Sequence, residues 1–169
     1  RTTIAALAAN LRGHVVAPSD ATYDASRRVY NGMIDRRPAL IARCGDVADV
    51  LAAVRFGVDH DLDIAIRAGG HNAGGLGVCD DGLVIDLGAM RGIRIDPEAR
   101  VARAEGGCLL RDVDHATHAF GLATPLGFLS TTGLAGLLLG GGTGHLTRKY
   151  GLTIDNLLSA DVVLADGRL

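Results

Sequence analysis

The chain contains no tryptophan, and only three phenylalanines, three tyrosines, four prolines and three cysteines in 169 residues. With aromatics at 4% of the residues and hydrophobic residues at 48%, any core must be built from Ala, Val, Leu and Ile. The length suffices for one core, divisible into two small subdomains. Cys44, Cys79 and Cys108 are an odd number without C-x-x-C spacing, which argues against a disulfide framework and against a zinc site. Cys79 reads as a small buried apolar residue. Charge of one sign is also lacking: the formal net charge is −2, which gives no electrostatic case for nucleic acid or an anionic membrane. The most apolar run, around Leu134 to Leu139, is far too short to span a bilayer. No basic-then-apolar leader opens the chain, which favours the cytoplasm, although residue 1 is Arg rather than Met and a removed leader would make the protein a secreted one.

Glycine is abundant, with 24 residues concentrated in two clusters. The first, Arg67-Ala68-Gly69-Gly70-His71-Asn72-Ala73-Gly74-Gly75-Leu76-Gly77, lies between two short apolar segments, Asp63 to Arg67 and Leu83 to Leu87, that read as buried strands. It is therefore a long loop carrying a single imidazole. Glycine permits positive φ and close backbone approach, so consecutive amides can face one concavity and bind phosphate oxygens. A glycine-rich loop can also simply turn a chain, and a lone histidine is often structural. The second cluster, Gly133-Leu134-Ala135-Gly136 through Gly140-Gly141-Gly142-Thr143-Gly144-His145, adds a second backbone cradle and points to one long ligand. Neither cluster fits a better-known nucleotide motif. A P-loop requires Lys and Ser/Thr after its last glycine, where Gly144 has His145-Leu146. The dinucleotide fingerprint fails because Gly75-Leu76-Gly77 and Gly142-Thr143-Gly144 reach Asp80 and Thr147 at the third glycine position.

The remaining pattern is α+β. Thr3 to Leu11 and Asp20 to Tyr30 have helical character, and Pro38 to Cys44 reads as a strand. Asp46 is a candidate N-cap for a helix through Asp59 with Val47, Val50, Leu51, Val54 and Val58 on one face. Gly92 to Ile95 and Arg100 to Glu105 read as a hairpin across Asp96-Pro97-Glu98-Ala99, followed by a helix from Leu109 to Phe120. His115 and His118 on that helix are too few for a metal site and read as a solvated face, so no metal is expected. A late strand is expected from Asn156 to Leu164, with a turn at Asp166-Gly167. Such a turn calls for a returning strand, so the chain is expected to be part of a longer protein.

From about Tyr30 to Leu169 the chain resembles the flavin-binding half of the vanillyl-alcohol-oxidase and para-cresol-methylhydroxylase superfamily, and within it the berberine-bridge-enzyme-like oxidases. The resemblance is carried by Arg67 to His71, and by Gly140 to Gly144 combined with Arg148-Lys149-Tyr150-Gly151-Leu152 and Asp155-Asn156. It implies an FAD-binding domain of two α+β subdomains with the cofactor between them. Subdomain one would cover about residues 30–67 and subdomain two about 83–169, behind N-terminal helices in 1–30. His71 matches the histidine that bonds covalently to the 8α carbon of the flavin. Arg67, Gly69, Gly70, Asn72, Gly74, Gly75 and Gly77 match the loop that wraps the pyrophosphate. Thr132, Gly133, Gly136, Gly140, Gly141, Gly142 and Gly144 match the segment along the ribityl chain and ring, and Leu129, Asp155 and Val162 complete the implied contacts.

One position departs from the pattern. Many relatives carry a second tether, a cysteine, where this chain has Leu129, so a single covalent link is expected. The implied function is an FAD-dependent oxidase that moves hydride from a C–OH or C–N carbon of a small molecule to the flavin, with oxygen reduced to hydrogen peroxide. A dehydrogenase with another acceptor and a non-catalytic flavin-binding module are the alternatives. Small-molecule substrate and oxygen are the expected partners, with neither nucleic acid nor membrane, and the sequence leaves oligomeric state open. The substrate-proton base is expected outside this segment; Asp86 and Asp155 read as loop-holding acids.

Overall fold

In the computed structural model, residues 3–169 are described; residues 1 and 2, at the start of the expected N-terminal helices, lie outside them. Helix α1 spans Ile4–Asn10 and begins where the Thr3 hydroxyl accepts the Ala6 N–H. Strand β1 (His14–Val16) and a single helical turn, α2 (Tyr23–Ser26), follow. The helix expected over Asp20 to Tyr30 is thus cut short. Beyond Arg27 the chain leaves the helix to lay Val29 and Ile34 on the sheet, and the Tyr30 N–H donates to Gly70 instead of to a helical carbonyl.

The main sheet is ordered β1-β2-β4-β3, with β2 (Leu40–Arg43), β3 (Ile64–Arg67) and β4 (Leu83–Asp86) parallel and β1 antiparallel to β2. Parallel neighbours require a crossover, which α3 (Val47–Asp59) supplies between β2 and β3. Residues 68–82, the first glycine cluster, then return the chain so that β4 inserts between those two strands. The subdomain division drawn from sequence therefore needs correction: Leu83–Asp86 belongs to the first sheet, and His14–Val16 is a strand within the supposed helical leader. All four β4 residues are buried, as expected for a strand covered on both faces.

One face of the sheet packs Leu40, Ala42, Leu83 and Ile85 against Leu7, Ala53, Val54 and Phe56 of the helices. The other face packs Ile41, Ala65 and Val84 against Tyr23 and against Val78 of the glycine loop. The buried side of α3 differs from the expected valine stripe. Val47 and Val58 are exposed, while Asp49, Ala53, Val54, Phe56 and Gly57 face inward. Two contacts rotate the helix. Gly57 sits where a β-carbon would come within 2.6 Å of the Ile64 side chain, and Asp49 turns in to accept the N–H groups of Arg12, Gly13 and Gly45 at 2.8, 2.9 and 2.7 Å.

The second layer begins with the antiparallel hairpin of β5 (Ile93–Asp96) and β6 (Val101–Ala104), as expected. Helix α4 (Leu110–His118) packs Leu110 and Val113 beneath it with Cys108 and Leu126, and His115 and His118 lie on its exposed side. Short helices α5 (Leu134–Leu139) and α6 (Thr147–Tyr150) follow. The strand expected over Asn156 to Leu164 is not formed. Asn156 closes a 3₁₀ turn (Ile154–Asn156), and the backbone from Leu157 to Leu164 joins no ladder among the described residues, so no partner's hydrogen bonds define a strand. It is held by side chains instead: Arg103 pairs with Asp161 at 2.8 Å, and Arg55 donates to the Gly167 carbonyl at 2.9 Å. No helix among the described residues is long and apolar enough to cross a membrane.

Asp49 is only 1% exposed. Burial is the largest influence on its carboxyl and would raise the pKa, but the N–H donors of Gly45, Gly13 and Arg12 together outweigh it and hold the pKa below its ordinary value. Asp49→Ala, which strands three donors, is expected to cost about 3 kcal/mol or more in urea unfolding. Because the folded pKa is depressed, the carboxylate's contribution is complete above about pH 4 and is lost as pH falls through the lower folded value. The stability of the variant should lack that acid limb.

Candidate functional site

The C-terminal ends of β2, β3 and β4 carry Arg43, Arg67 and Asp86, side by side in register. Asp86 is buried and pairs with Arg67 at 2.9 Å and with Arg43 at 3.4 Å, and it also accepts the Gly88 N–H. Arg67, itself buried, reaches the Arg28 carbonyl. This neutralised pair anchors the start of the glycine loop. Above it lies a cleft of about 570 Å³ whose lining includes Arg28, Tyr30, Gly69, Gly70, His71 and Thr131.

The loop is asymmetric in its hydrogen bonding. Its carbonyls are tied back: Gly70 accepts from Tyr30 N–H, Asn72 from Gly75 N–H, Ala73 from the Asn31 amide, and Gly75 and Val78 from Arg36. Its amides from Gly69 through Gly74 donate to no group among the described residues. The Asn72 side chain closes the turn by accepting the Leu76 N–H, and Gly70 and Gly75 take the positive φ values of 66° and 75° that the turns require. Consecutive amides left without partners are donors of the kind that a bound anion can satisfy. Gly77 is buried against the Arg67 side chain, so it shapes the loop from behind.

The two glycine clusters meet at one point. A β-carbon on Gly69 would stand 2.6 Å from the Gly133 Cα, and one on Gly133 would stand 2.9 Å from the Gly69 Cα. Segment 130–134 is fixed from its other side by Leu110 N–H to Thr132, Arg111 N–H to Ser130 and Leu134 N–H to Cys108. This contact delivers two hydroxyls to His71: Thr131 Oγ1 lies 3.0 Å from Nε2 and Thr132 Oγ1 lies 3.3 Å from Nδ1. Tyr30 stacks on the imidazole, with ring centres 3.9 Å apart and planes at 17°. Burial lowers the His71 pKa, favouring the neutral ring.

The structure therefore brings together Arg67, Gly69, Gly70, His71, Thr132 and Gly133 from the sequence-derived set. The rest of the second cluster serves its own turn. Gly140 and Gly141 donate to Gly136 and Leu138 at the end of α5, and Gly144 donates to Thr147 Oγ1. Gly141 and Gly142 in turn accept the N–H groups of Ile154 and Thr153. Gly136 faces open space. Asp155 accepts the Leu152 N–H, the loop-holding part read for it. The Thr153 hydroxyl, buried against Gly142, has no hydrogen-bond partner among the described residues. Leu129 is 54% exposed and Val162 57% exposed, and neither lines the cleft. His145 makes an edge-on contact with Phe128. Cys79 keeps its thiol on the Asp63 carbonyl, 3.7 Å away, and is absent from the cleft lining. Among the described residues no three His, Cys, Asp or Glu side chains are grouped to hold a metal.

Sequence reasoning missed Tyr30, Thr131, Arg28 and Arg43 as parts of this site. Tyr30 and Arg28 sit in an irregular stretch with no periodicity to flag them, and Arg43 reads as the end of a strand. Thr131 had a usable signal, since it directly precedes Thr132-Gly133.

The chain matches the family described as FAD binding domain over residues 38–169. (R)-6-hydroxynicotine oxidase of Paenarthrobacter nicotinovorans is 42% identical over 158 residues, which are 94% of this chain and 34% of that protein. The crystal structure of 6-hydroxy-D-nicotine oxidase from Arthrobacter nicotinovorans superposes with a TM-score of 0.92 at 42% identity, covering 94% of this chain and 35% of that one. Berberine bridge enzyme-like 1 of Physcomitrella patens gives 0.91 at 30% identity, covering 99% of this chain and 37% of that one. The chain thus spans about a third of the length of these relatives. The fold, the glycine segments that meet beneath the cleft and the match over residues 38–169 place this chain in the FAD binding domain family.

Proposed function

We propose that this chain is the cofactor-holding part of an FAD-linked oxidase that bonds its flavin covalently through His71 and acts on a C–OH or C–N carbon of a small organic molecule. The observation that carries the reading is the loop at residues 69–74: six successive amides have no partner among the described residues while the carbonyls of Gly70, Asn72 and Ala73 are tied back, and Gly69, Gly70 and an imidazole whose pKa burial lowers line one cleft. Such a set fits a diphosphate next to a group that must act as a nucleophile. When bound, FAD supplies the redox chemistry, accepting a hydride from the substrate and passing the electrons to oxygen as hydrogen peroxide.

The residues of the chain supply binding and position. The amides of Gly69 to Gly74 would hold the pyrophosphate, and Arg67 is kept in place beside them by Asp86. His71 offers an unprotonated nitrogen at neutral pH because burial depresses its pKa. Leu129 carries no sulfur, so one attachment point is proposed rather than two. The rest of the protein would cover the ring and supply the base that takes the substrate proton.

The natural protein carrying this segment, denatured in acid and digested, is expected to yield a His71 peptide heavier by one FAD, and substrate turnover should generate peroxide. His71→Ala should release all its flavin on denaturation while still binding FAD reversibly; flavin that stays attached to the variant would move the link elsewhere. Gly69→Ala is expected to cost about 1–3 kcal/mol through collision with the Gly133 backbone. It should lower flavin occupancy along with the melting temperature, as read by flavin absorbance and thermal unfolding.

A further inference from the structure

We propose that Thr131 is a positioning residue for flavin attachment: its hydroxyl holds the proton of His71 on Nε2, leaving the Nδ1 lone pair to form the bond. This rests on the reading of His71 as the attachment point. A neutral imidazole has one N–H and one lone pair, and the partner of one nitrogen decides which atom remains nucleophilic. Both nitrogens of His71 face hydroxyls, and the two are not equivalent. Thr131 Oγ1 is the nearer, at 3.0 Å from Nε2, and Thr131 is exposed, so its own hydrogen can go to water while the oxygen accepts Nε2–H. Thr132 Oγ1 stands 3.3 Å from Nδ1 on a half-buried residue, the weaker contact and the one that yields to an approaching carbon. Tyr30 stacks on one face of the ring, and a hydroxyl meets each of its two nitrogens.

The bond-forming step balances through dioxygen. Nδ1 bonds to the flavin C8α; one hydrogen of that methyl group and the Nε2 hydrogen leave as protons. The two electrons released pass through the ring to dioxygen, giving one hydrogen peroxide and returning the flavin oxidised. The Nε2 proton departs through the Thr131 hydroxyl to solvent, so the residue that sets the tautomer also accepts the proton that the new bond makes acidic.

The test uses the natural full-length protein, prepared free of flavin and mixed with saturating FAD in air, with covalent flavin followed by acid precipitation and peptide mass. Thr131→Val should attach flavin about tenfold more slowly or worse while retaining reversible FAD binding, and Thr131→Ser should restore the rate. NMR of the wild-type flavin peptide should place the bond on Nδ1. Attachment by Thr131→Val at the wild-type rate, a serine variant as slow as the valine one, a bond on Nε2, or loss of reversible FAD binding in Thr131→Val would each overturn the proposal. A wild-type His71 peptide without flavin is a different failure, since it removes the covalent reading beneath the proposal as well.

Discussion

Two backbones that pass too closely for a side chain on either govern this molecule. Where Gly69 meets Gly133, the loop leaving β3 touches the segment entering α5, and the two layers meet there at the cleft, as they also do where the Gly107 N–H donates to Met90. The glycine contact sets the height of His71 above the sheet, presents Thr131 and Thr132 to the two edges of the imidazole, and defines how far the loop amides stand from α5. The attraction at such a point is small; its force is steric, because interiors packed at crystal-like density cannot absorb an added carbon without moving something. The Arg67–Asp86 pair works on the other side of the same loop. Buried at the end of β3 and β4, it gains less in net stability than its geometry suggests, and what it contributes is a fixed departure point for the chain.

Much of the architecture could be read before any coordinates, because the parallel strands are short apolar runs and the turns announce themselves with glycine. Asp46 caps α3 as its position suggested, accepting the Asp49 N–H. What could not be read was tertiary. That β4 inserts between β2 and β3 is a property of pairing, and nothing in Leu83–Asp86 distinguishes a central strand of one layer from the first strand of the next. The face of α3 was misread because a charged residue, Asp49, sits in the core on the strength of three backbone donors, which a hydrophobic pattern counts against burial. The apolar stretch from Asn156 to Leu164 reads as a strand but has no partner among the described residues, and a ladder needs two sides.

The site shows the same division. Arg67 to His71 and the second glycine segment were conspicuous as motifs, since few physical tasks need so many residues without side chains. The clusters nevertheless differ in their bonding: the first leaves the amides of Gly69 to Gly74 without partners, whereas in the second Gly140, Gly141 and Gly144 donate at the end of α5 and to Thr147, and the carbonyls of Gly141 and Gly142 accept from Ile154 and Thr153. Glycine count does not distinguish these uses; only the placement of carbonyl partners does. Tyr30, Asn31 and Arg36, which hold the first loop, belong to an irregular stretch 40 or so residues upstream, and their part is visible only once the chain is folded.

The ordering of these contacts along the chain bears on how the protein is made. The main sheet uses strands from His14 to Asp86 and can pair as soon as that stretch is available. His71 meets Thr131 across 60 residues, and Arg55 meets Gly167 across 112. On a ribosome these partners emerge well after the sheet, so the half-built cleft must wait with its loop oriented by Tyr30, Asn31 and Arg36 alone. The hydroxyl partners of His71 therefore arrive after the sheet that carries the imidazole, and the surroundings of that ring are completed only once residues 131–133 are available.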